Sequence, residues 1–159
     1  WGPAPGVEGR ICEPGHQFEW GWLLLRWGRL AGRHDAIAAA LRMIEAGEAH
    51  GVDAERGVAI NALLDDFSKH DANARLWPQT ERIKGAVLAA AITGEEKYWS
   101  MAAAGAEGLM AYLETPVPGL WRDKYKVDGT FVEEPAPASS FYHISLAIVE
   151  LDRAVRAGV

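Results

Sequence analysis

A unit made of a turn followed by a helix repeats along this chain, and the repeat limits the possible folds more than any other feature. Glu19 and Gly32 recur as Glu81 and Gly94, in each case 62 residues later, and the same step leads from Glu81 to His143. A repeat of fixed period folds as stacked copies of one unit, because a single copy leaves its apolar face uncovered. We therefore expect a stack of helical hairpins in which alternate helices begin at one common rim.

Hydrophobic periodicity predicts five helices. Apolar residues three and four positions apart mark one face of each helix, and glycine or proline marks its ends. The predicted helices run over about 17–32, 35 to 47 or 51, 78–94, 95–113, and 139 or 140 to 158. The minimal connections within the first two pairs make each pair an antiparallel hairpin. Asp35 is the predicted N-cap of the second helix.

The long connections carry short strand patterns. Residues 51–76 suggest a small irregular β excursion, and Asp128-Gly129 has the composition of a tight β turn between two short strands. The predicted fold class is therefore all-α, with helical hairpins as the main elements and short β excursions in the long loops.

Composition and charge exclude several classes of function. The net charge is −6 and no cluster of Lys or Arg occurs, so we expect no nucleic-acid partner. No apolar run reaches the roughly 18 residues of a membrane span, so we expect no membrane partner. The single Cys12 cannot form a disulfide within the chain, which favours a reducing compartment. We expect one domain over residues 1–159, located in the cytoplasm.

A histidine stands at the start of the first predicted helix. Pro14-Gly15 is a turn signal, and His16 and Glu19 lie three residues apart on one side of the helix that follows. A titratable imidazole beside a carboxylate suits proton transfer on a sugar-like ligand, although a packed helix start has the same composition. The repeat brings further polar residues to the same rim: Gln79, Glu81, Ser140 and His143.

The chain holds seven tryptophans. Their large apolar surface makes core packing the first interpretation, and we assign Trp20, Trp22 and Trp27 to the core. The second interpretation is a carbohydrate site, in which an indole face stacks on a pyranose ring.

Three segments carry a resemblance to a known family: EPGHQFEW at 13–20, RLWPQTER at 75–82 and ASSFYH at 138–143. In this order and at these separations they resemble the N-acylglucosamine 2-epimerase superfamily, most closely its mannose isomerase branch. The resemblance implies an (α/α)6 barrel, a ring of six helical hairpins with the sugar site at its centre. It also implies aldose–ketose isomerisation or 2-epimerisation by proton transfer next to a carbonyl, with no metal and no other cofactor.

The resemblance implies roles for individual residues. His16 and His143 match the two acid/base histidines, and Glu19 matches the carboxylate that orients the first of them. By hypothesis His143 takes the C2 proton and returns it at C1 through an enediol, while His16 assists ring opening. The implied substrate-binding residues are Trp77, Gln79, Glu81 and Arg82, with Arg82 the weaker candidate and Glu81 equally able to brace its helix.

The sequence offers neither a metal site nor a phosphate cradle. Asp65-Asp66 have no third hard ligand at a useful spacing, and no Gly-rich phosphate-binding loop is present. Free mannose is therefore the preferred small-molecule substrate. The alternatives are a 2-epimerase of an N-acyl hexosamine or a disaccharide, and a non-catalytic half-barrel that binds a sugar or a partner protein.

The length of the chain departs from the family pattern. The resemblance implies chains more than twice as long, and 159 residues do not close a ring of six hairpins. We expect either that the chain is the C-terminal portion of a longer isomerase, or that another copy or a partner completes its barrel.

Overall fold

The structure is a computed structural model that describes residues 2–157. Helices dominate that range, and each of the five α-helices is 18 residues long. They are α1 (Pro14–Ala31), α2 (His34–Gly51), α3 (Leu76–Thr93), α4 (Glu96–Leu113) and α5 (Ser140–Ala157). A 3-10 helix at Gly6–Arg10 precedes them. The predicted all-α fold and its two hairpins, α1 with α2 and α3 with α4, are confirmed.

The sequence repeat is also a repeat of structure. Helix α3 begins 62 residues after α1, and α4 begins 62 residues after α2. The helices form two layers, because α1, α3 and α5 lie side by side with α3 in the middle, while α2 packs on α1 and α4 packs on α3. The middle position explains why 13 of the 18 residues of α3 are buried.

Two apolar clusters hold the layers together. One joins α1, α2 and α3 through residues such as Phe18, Ile44 and Ala89, and the other joins α3 to α4 and α5, with Tyr112 and Ile144 among its members. Burying apolar area of this kind is the main favourable contribution to folding, at roughly 25 cal/mol per Å².

Short antiparallel strands fasten the loops in front of the inner helices. The strands are β1 (Ile11–Cys12), β2 (Val52–Asp53), β3 (Val58–Ala59), β4 (Ala62–Leu64), β5 (Lys69–Asp71), β6 (Ala74–Arg75) and β7 (Lys124–Tyr125). They pair as β1-β4-β5, β2-β3 and β6-β7. Strand β1 leads directly into α1 and β6 leads into α3, so the pairing fixes where both helices begin. The predicted β turn at Asp128-Gly129 is confirmed, and the Lys126 N–H donates to Thr130 O across it at 2.8 Å.

Several helix ends differ from the prediction. Helix α1 begins at Pro14, three residues before Gln17, because the fixed φ of proline and its missing N–H suit the first turn of a helix. Asp35 is not the N-cap of α2, since Arg33 occupies that position. The Asp35 carboxylate binds the Arg33 guanidinium instead, at 2.8 and 2.6 Å. The predicted end of α5 at Gly158 lies outside the described residues.

The assignment of three tryptophans of α1 to the core is correct for Trp22 only. Trp20 and Trp27 are about half exposed, and with Leu23 and Leu30 they form an apolar stripe along the outside of the helix. Their spacing places them on the side of α1 that turns away from α2 and α3.

Among residues 2–157, no helix combines the length and the apolar character that crossing a bilayer demands.

Candidate active site

A cleft of about 240 Å³ opens where the inner helices begin. Its walls come from α1, from the start of α3 and from the start of α5, as the repeat predicts. The residues that line it are His16, Glu19, Arg75, Trp77, Ser139, Ser140 and His143. The structure therefore brings together four of the seven residues predicted as catalytic or substrate-binding: His16, Glu19, Trp77 and His143.

Trp77 lies between the two histidines. Its ring centroid is 5.1 Å from that of His16 and 5.9 Å from that of His143, and both ring pairs are tilted. An indole in this place provides an apolar surface between two titratable imidazoles. The C–H faces of a sugar are suited to that surface.

His143 is held from behind by Glu81. The distance from His143 Nδ1 to Glu81 Oε1 is 2.7 Å, and the Glu81 side chain has no solvent exposure. An ionised carboxylate only accepts, so it favours the tautomer in which Nδ1 carries the hydrogen, and in the neutral ring Nε2 then has the lone pair. Glu81 thus fixes the orientation of the His143 ring.

The expected sugar contact of Glu81 is not supported by its position. Helix α3 is covered on both sides, so Glu81 is buried and both of its oxygens have partners. Oε1 accepts from His143, and Lys84 Nζ lies 2.7 Å from Oε2 in an ion pair that is not aligned as a directed hydrogen bond. Lys84 Nζ also lies 4.1 Å from the ring centroid of Trp22. Glu81 does not line the cleft, and it is linked to the cleft by its contact with His143.

The carboxylate that holds His16 is Glu13, and the expectation for Glu19 is wrong on this point. His16 Nδ1 lies 2.5 Å from Glu13 Oε2, with both side chains about half exposed. Side chains on a helix tilt towards its N-terminus. Because α1 begins at Pro14, His16 therefore leans back to Glu13, and Glu19 remains on the cleft wall.

The polar atoms of the Gln79 side chain are all engaged within the protein. Its carboxamide oxygen accepts from the Ala59 N–H at 2.7 Å, and its nitrogen donates to Ala59 O and Arg75 O, both at 2.9 Å. The side chain is completely buried. Its hydrogen bonds tie α3 to the strand β3.

Arg82 is also structural. Its guanidinium binds the Glu48 carboxylate through two nitrogens, with Nε at 2.7 Å, and donates to Gly57 O at 2.9 Å. Its side chain is 3% exposed, and it does not line the cleft. The family resemblance implies sugar contacts for both Gln79 and Arg82, whereas the burial of α3 directs their polar groups to partners within the protein.

Residues that the sequence patterns do not indicate lie in the cleft or behind it. Arg75 lines it, and the buried Asp123 accepts from Arg75 Nε at 3.0 Å and Nη2 at 2.8 Å. Glu13 and Lys84 were missed as well. The Pro14 helix-start signal could have indicated Glu13, whereas Asp123 lies 48 positions from Arg75 and has no local signal.

Comparison with known proteins gives consistent matches. A family model described as N-acylglucosamine 2-epimerase matches residues 1–147. A curated protein named mannose-6-phosphate isomerase, from Rhizobium meliloti (strain 1021), is 54% identical over 155 residues, which are 96% of this chain and 40% of that protein.

Solved structures agree in fold. A D-mannose isomerase superposes with a TM-score of 0.80 at 19% identity. The superposition covers 89% of this chain and 37% of the D-mannose isomerase chain. A cellobiose 2-epimerase from Bacillus thermoamylovorans B4167 superposes with a TM-score of 0.77 at 20% identity, with the same coverage. The five helices are thus part of an (α/α)6 barrel, and the chain spans about two fifths of the length of these relatives.

Proposed function

Because this chain belongs to the N-acylglucosamine 2-epimerase family, we propose that the intact protein is a sugar isomerase that interconverts an aldose and a ketose of the mannose and fructose type. The observation that carries the proposal is the pair of histidines on one cleft. Each has a carboxylate at Nδ1, and Trp77 lies between them.

The proposed reaction needs two proton transfers at neighbouring carbons. His143 Nε2 takes the proton from C2 of the open-chain aldose, the C–H electron pair forms the C1=C2 bond, and O1 gains a proton to give an enediol. O2 then loses its proton as the C2=O bond forms, and the protonated His143, whose ring N–H exchanges with solvent while the enediol is bound, gives a proton to C1. An imidazole suits this exchange because its unperturbed pKa lies near neutral pH.

In this proposal His16 opens the sugar ring and transfers protons at the oxygens. It is more exposed than His143 and is held by the surface carboxylate of Glu13, which suits a group that meets the ligand at the entrance. Glu19 is the carboxylate on the wall that accepts hydroxyl hydrogens of the sugar.

The charges around the cleft favour an uncharged sugar. Glu13 and Glu19 are acidic, and the charge of Arg75 is offset by Asp123. A phosphate dianion would therefore meet two carboxylates and one compensated cation. We propose a free hexose as the substrate, in line with the preference drawn from the sequence.

A second candidate is a 2-epimerase of a disaccharide, and one observation favours it. Two further clefts adjoin the site and share Arg75 with it, with volumes of about 390 and 400 Å³. Asn61 and Asp71 line both of them, and side chains of this kind recognise sugar hydroxyls. Such a groove has room for a second sugar ring beyond Trp77.

Product analysis in D2O separates the candidates. We expect the intact protein, after treatment with a chelator, to convert mannose to fructose and to introduce deuterium at the carbons that exchange protons. NMR spectroscopy of the products is the measurement. A 2-epimerase would instead return an aldose, most rapidly from a disaccharide. Loss of all activity on chelation, or turnover without any deuterium, would contradict proton transfer by histidine.

We also predict that Gly15→Ala weakens sugar binding without unfolding the protein. A Cβ at Gly15 would lie 2.5 Å from Trp77 Cη2 and 2.7 Å from Cζ3, so the indole must move. Because alanine is the better helix former, the loss in stability is small. We expect KM to rise about tenfold, or roughly 1.4 kcal/mol, while the thermal midpoint stays within a few degrees. An unchanged KM would show that the position of Trp77 does not matter for binding.

A further inference from the structure

Lys84 is a buried charge that the proposed reaction does not use directly. Its side chain is 1% exposed, it lies one helical turn after Glu81, and α3 is packed on both sides at this point. Lysine is almost never fully buried unless it is paired, because an amine loses its hydration there. A methionine would fill the same volume without that cost.

The contacts of Lys84 link the core to the cleft. Glu81 Oε1 lies 2.7 Å from His143 Nδ1, and Glu81 Oε2 lies 2.7 Å from Lys84 Nζ. The Lys84 charge thus balances the Glu81 charge, and His143 has no need to be protonated in order to neutralise its partner. Trp22 provides the second contact of the amine, with Nζ 4.1 Å from the ring centroid, and it adds no charge.

Removal of the lysine charge has a definite consequence for protons. Glu81 would be a fully buried carboxylate whose remaining partner is an imidazole. A buried carboxylate without a counterion binds a proton or attracts one to its neighbour. The Glu81–His143 pair would then hold one more proton at neutral pH, and the base at Nε2 would be lost.

We propose that Lys84 is a positioning residue for the reaction: by pairing with Glu81 it keeps the Glu81–His143 pair one proton short, so that His143 Nε2 faces the cleft as a free base. The inference rests on the proposed function for its kinetic effect, whereas the state of the His143 ring is measurable without any substrate.

Other charged or titratable groups face this chain of contacts, and Lys84→Met replaces none of them. His16, Glu19 and Arg75 line the cleft in front of His143, and Tyr142 lies beside it with ring centroids 5.0 Å apart. On the core side, the Arg26 guanidinium carbon is 5.0 Å from the Trp22 ring centroid, and Arg26 pairs with Glu150 at 3.0 Å. A difference between the protein and its Lys84 variant therefore reports on Lys84.

The test compares Lys84→Met in the intact protein with Lys97→Met, a matched variant of an exposed lysine that pairs with Glu45 and Glu95. For Lys84→Met we expect the acidic limb of the kcat profile to move about one unit to higher pH, so that kcat measured on that limb falls by up to about tenfold, with KM nearly unchanged. Activity then recovers as the pH is raised. Lys97→Met leaves the profile in place.

A second variant shows whether Lys84 acts through Glu81. Glu81→Gln with Lys84→Met removes both charges and leaves a neutral amide beside His143, so we expect the acidic limb to return to its original position. If Lys84→Met alone does not fold, the double variant still allows the proposal to be tested. An unshifted limb in Lys84→Met, or the same shifted limb in both variants, would overturn the proposal.

A measurement without substrate separates this inference from the proposed function. NMR titration of the His143 ring is expected to show that Lys84→Met keeps the ring protonated to higher pH than the unchanged protein does. If the intact protein acts on no sugar, the proposed function fails while this titration still decides the role of Lys84. Equal titration curves would refute that role.

Discussion

Replacing His143 with asparagine is expected to lower kcat by about a thousandfold and to stop exchange of the C2 proton with solvent. Asparagine is of similar size, and its amide nitrogen can still donate to Glu81 Oε1, which His143 Nδ1 contacts at 2.7 Å. What is lost is the lone pair of Nε2, and a positioned acid or base contributes about 10² to 10⁴ in rate. The measurement is deuterium incorporation at C2 of mannose, which NMR follows when the intact protein and the sugar are incubated in D2O.

Two further histidine variants define the result. His34→Asn is the control, because His34 is exposed at the start of α2 and away from the cleft. We expect it to leave the rate unchanged. His16→Asn is expected to slow turnover of the closed sugar more than exchange of the open-chain form. Exchange at the original rate in His143→Asn would remove His143 from the role of base.

Replacing Arg82 with alanine is expected to destabilise the protein by about 3 kcal/mol and to leave the activity of the folded fraction unchanged. Arg82 is 3% exposed, and its partner Glu48 is 20% exposed, so the change leaves a mostly buried carboxylate without its cation. Gly57 O loses its donor as well. Breaking a buried pair of this kind typically costs about 3 to 5 kcal/mol. Denaturation with urea gives the free energy of unfolding.

The matched control is Arg33→Ala. Arg33 also binds a carboxylate through two nitrogens, that of Asp35, but both side chains are more than half exposed. Solvent screens such a pair, so we expect no measurable change in the urea midpoint. A stable Arg82→Ala protein with a raised KM would restore the role in sugar binding that the sequence pattern assigned to Arg82.

The helices and their pairing were predictable because the information is local and repeated. Apolar residues at helical spacing, and stops such as Gly32 and Gly94, mark four of the helices within one or two residues at most ends. Both glycines adopt the left-handed conformation that ends a helix. The strands were only partly predictable. The strands are only two or three residues long, and pairings such as that of Ile11 with Leu64 depend on packing between distant segments.

The site was predictable in its location but not in its contacts. The repeat indicates a common rim, and the family motifs point to His16 and His143. Which carboxylate holds His16 depends on the residue at which α1 begins. The helix begins three residues earlier than predicted, at Pro14, and His16 then pairs with Glu13 instead of Glu19. The catalytic roles, the single domain over residues 1–159 and the cytoplasmic location stay predictions.

The pairing of Glu81 with His143 has an evolutionary implication. The two residues are one sequence period of 62 positions apart, and Glu19 stands one period before Glu81, so all three lie near the starts of neighbouring inner helices. Equivalent positions of adjacent copies meet side by side wherever such units stack. A duplicated segment therefore starts with identical side chains facing each other. Divergence at one copy is then enough to create an acid–base couple, with no change in the backbone.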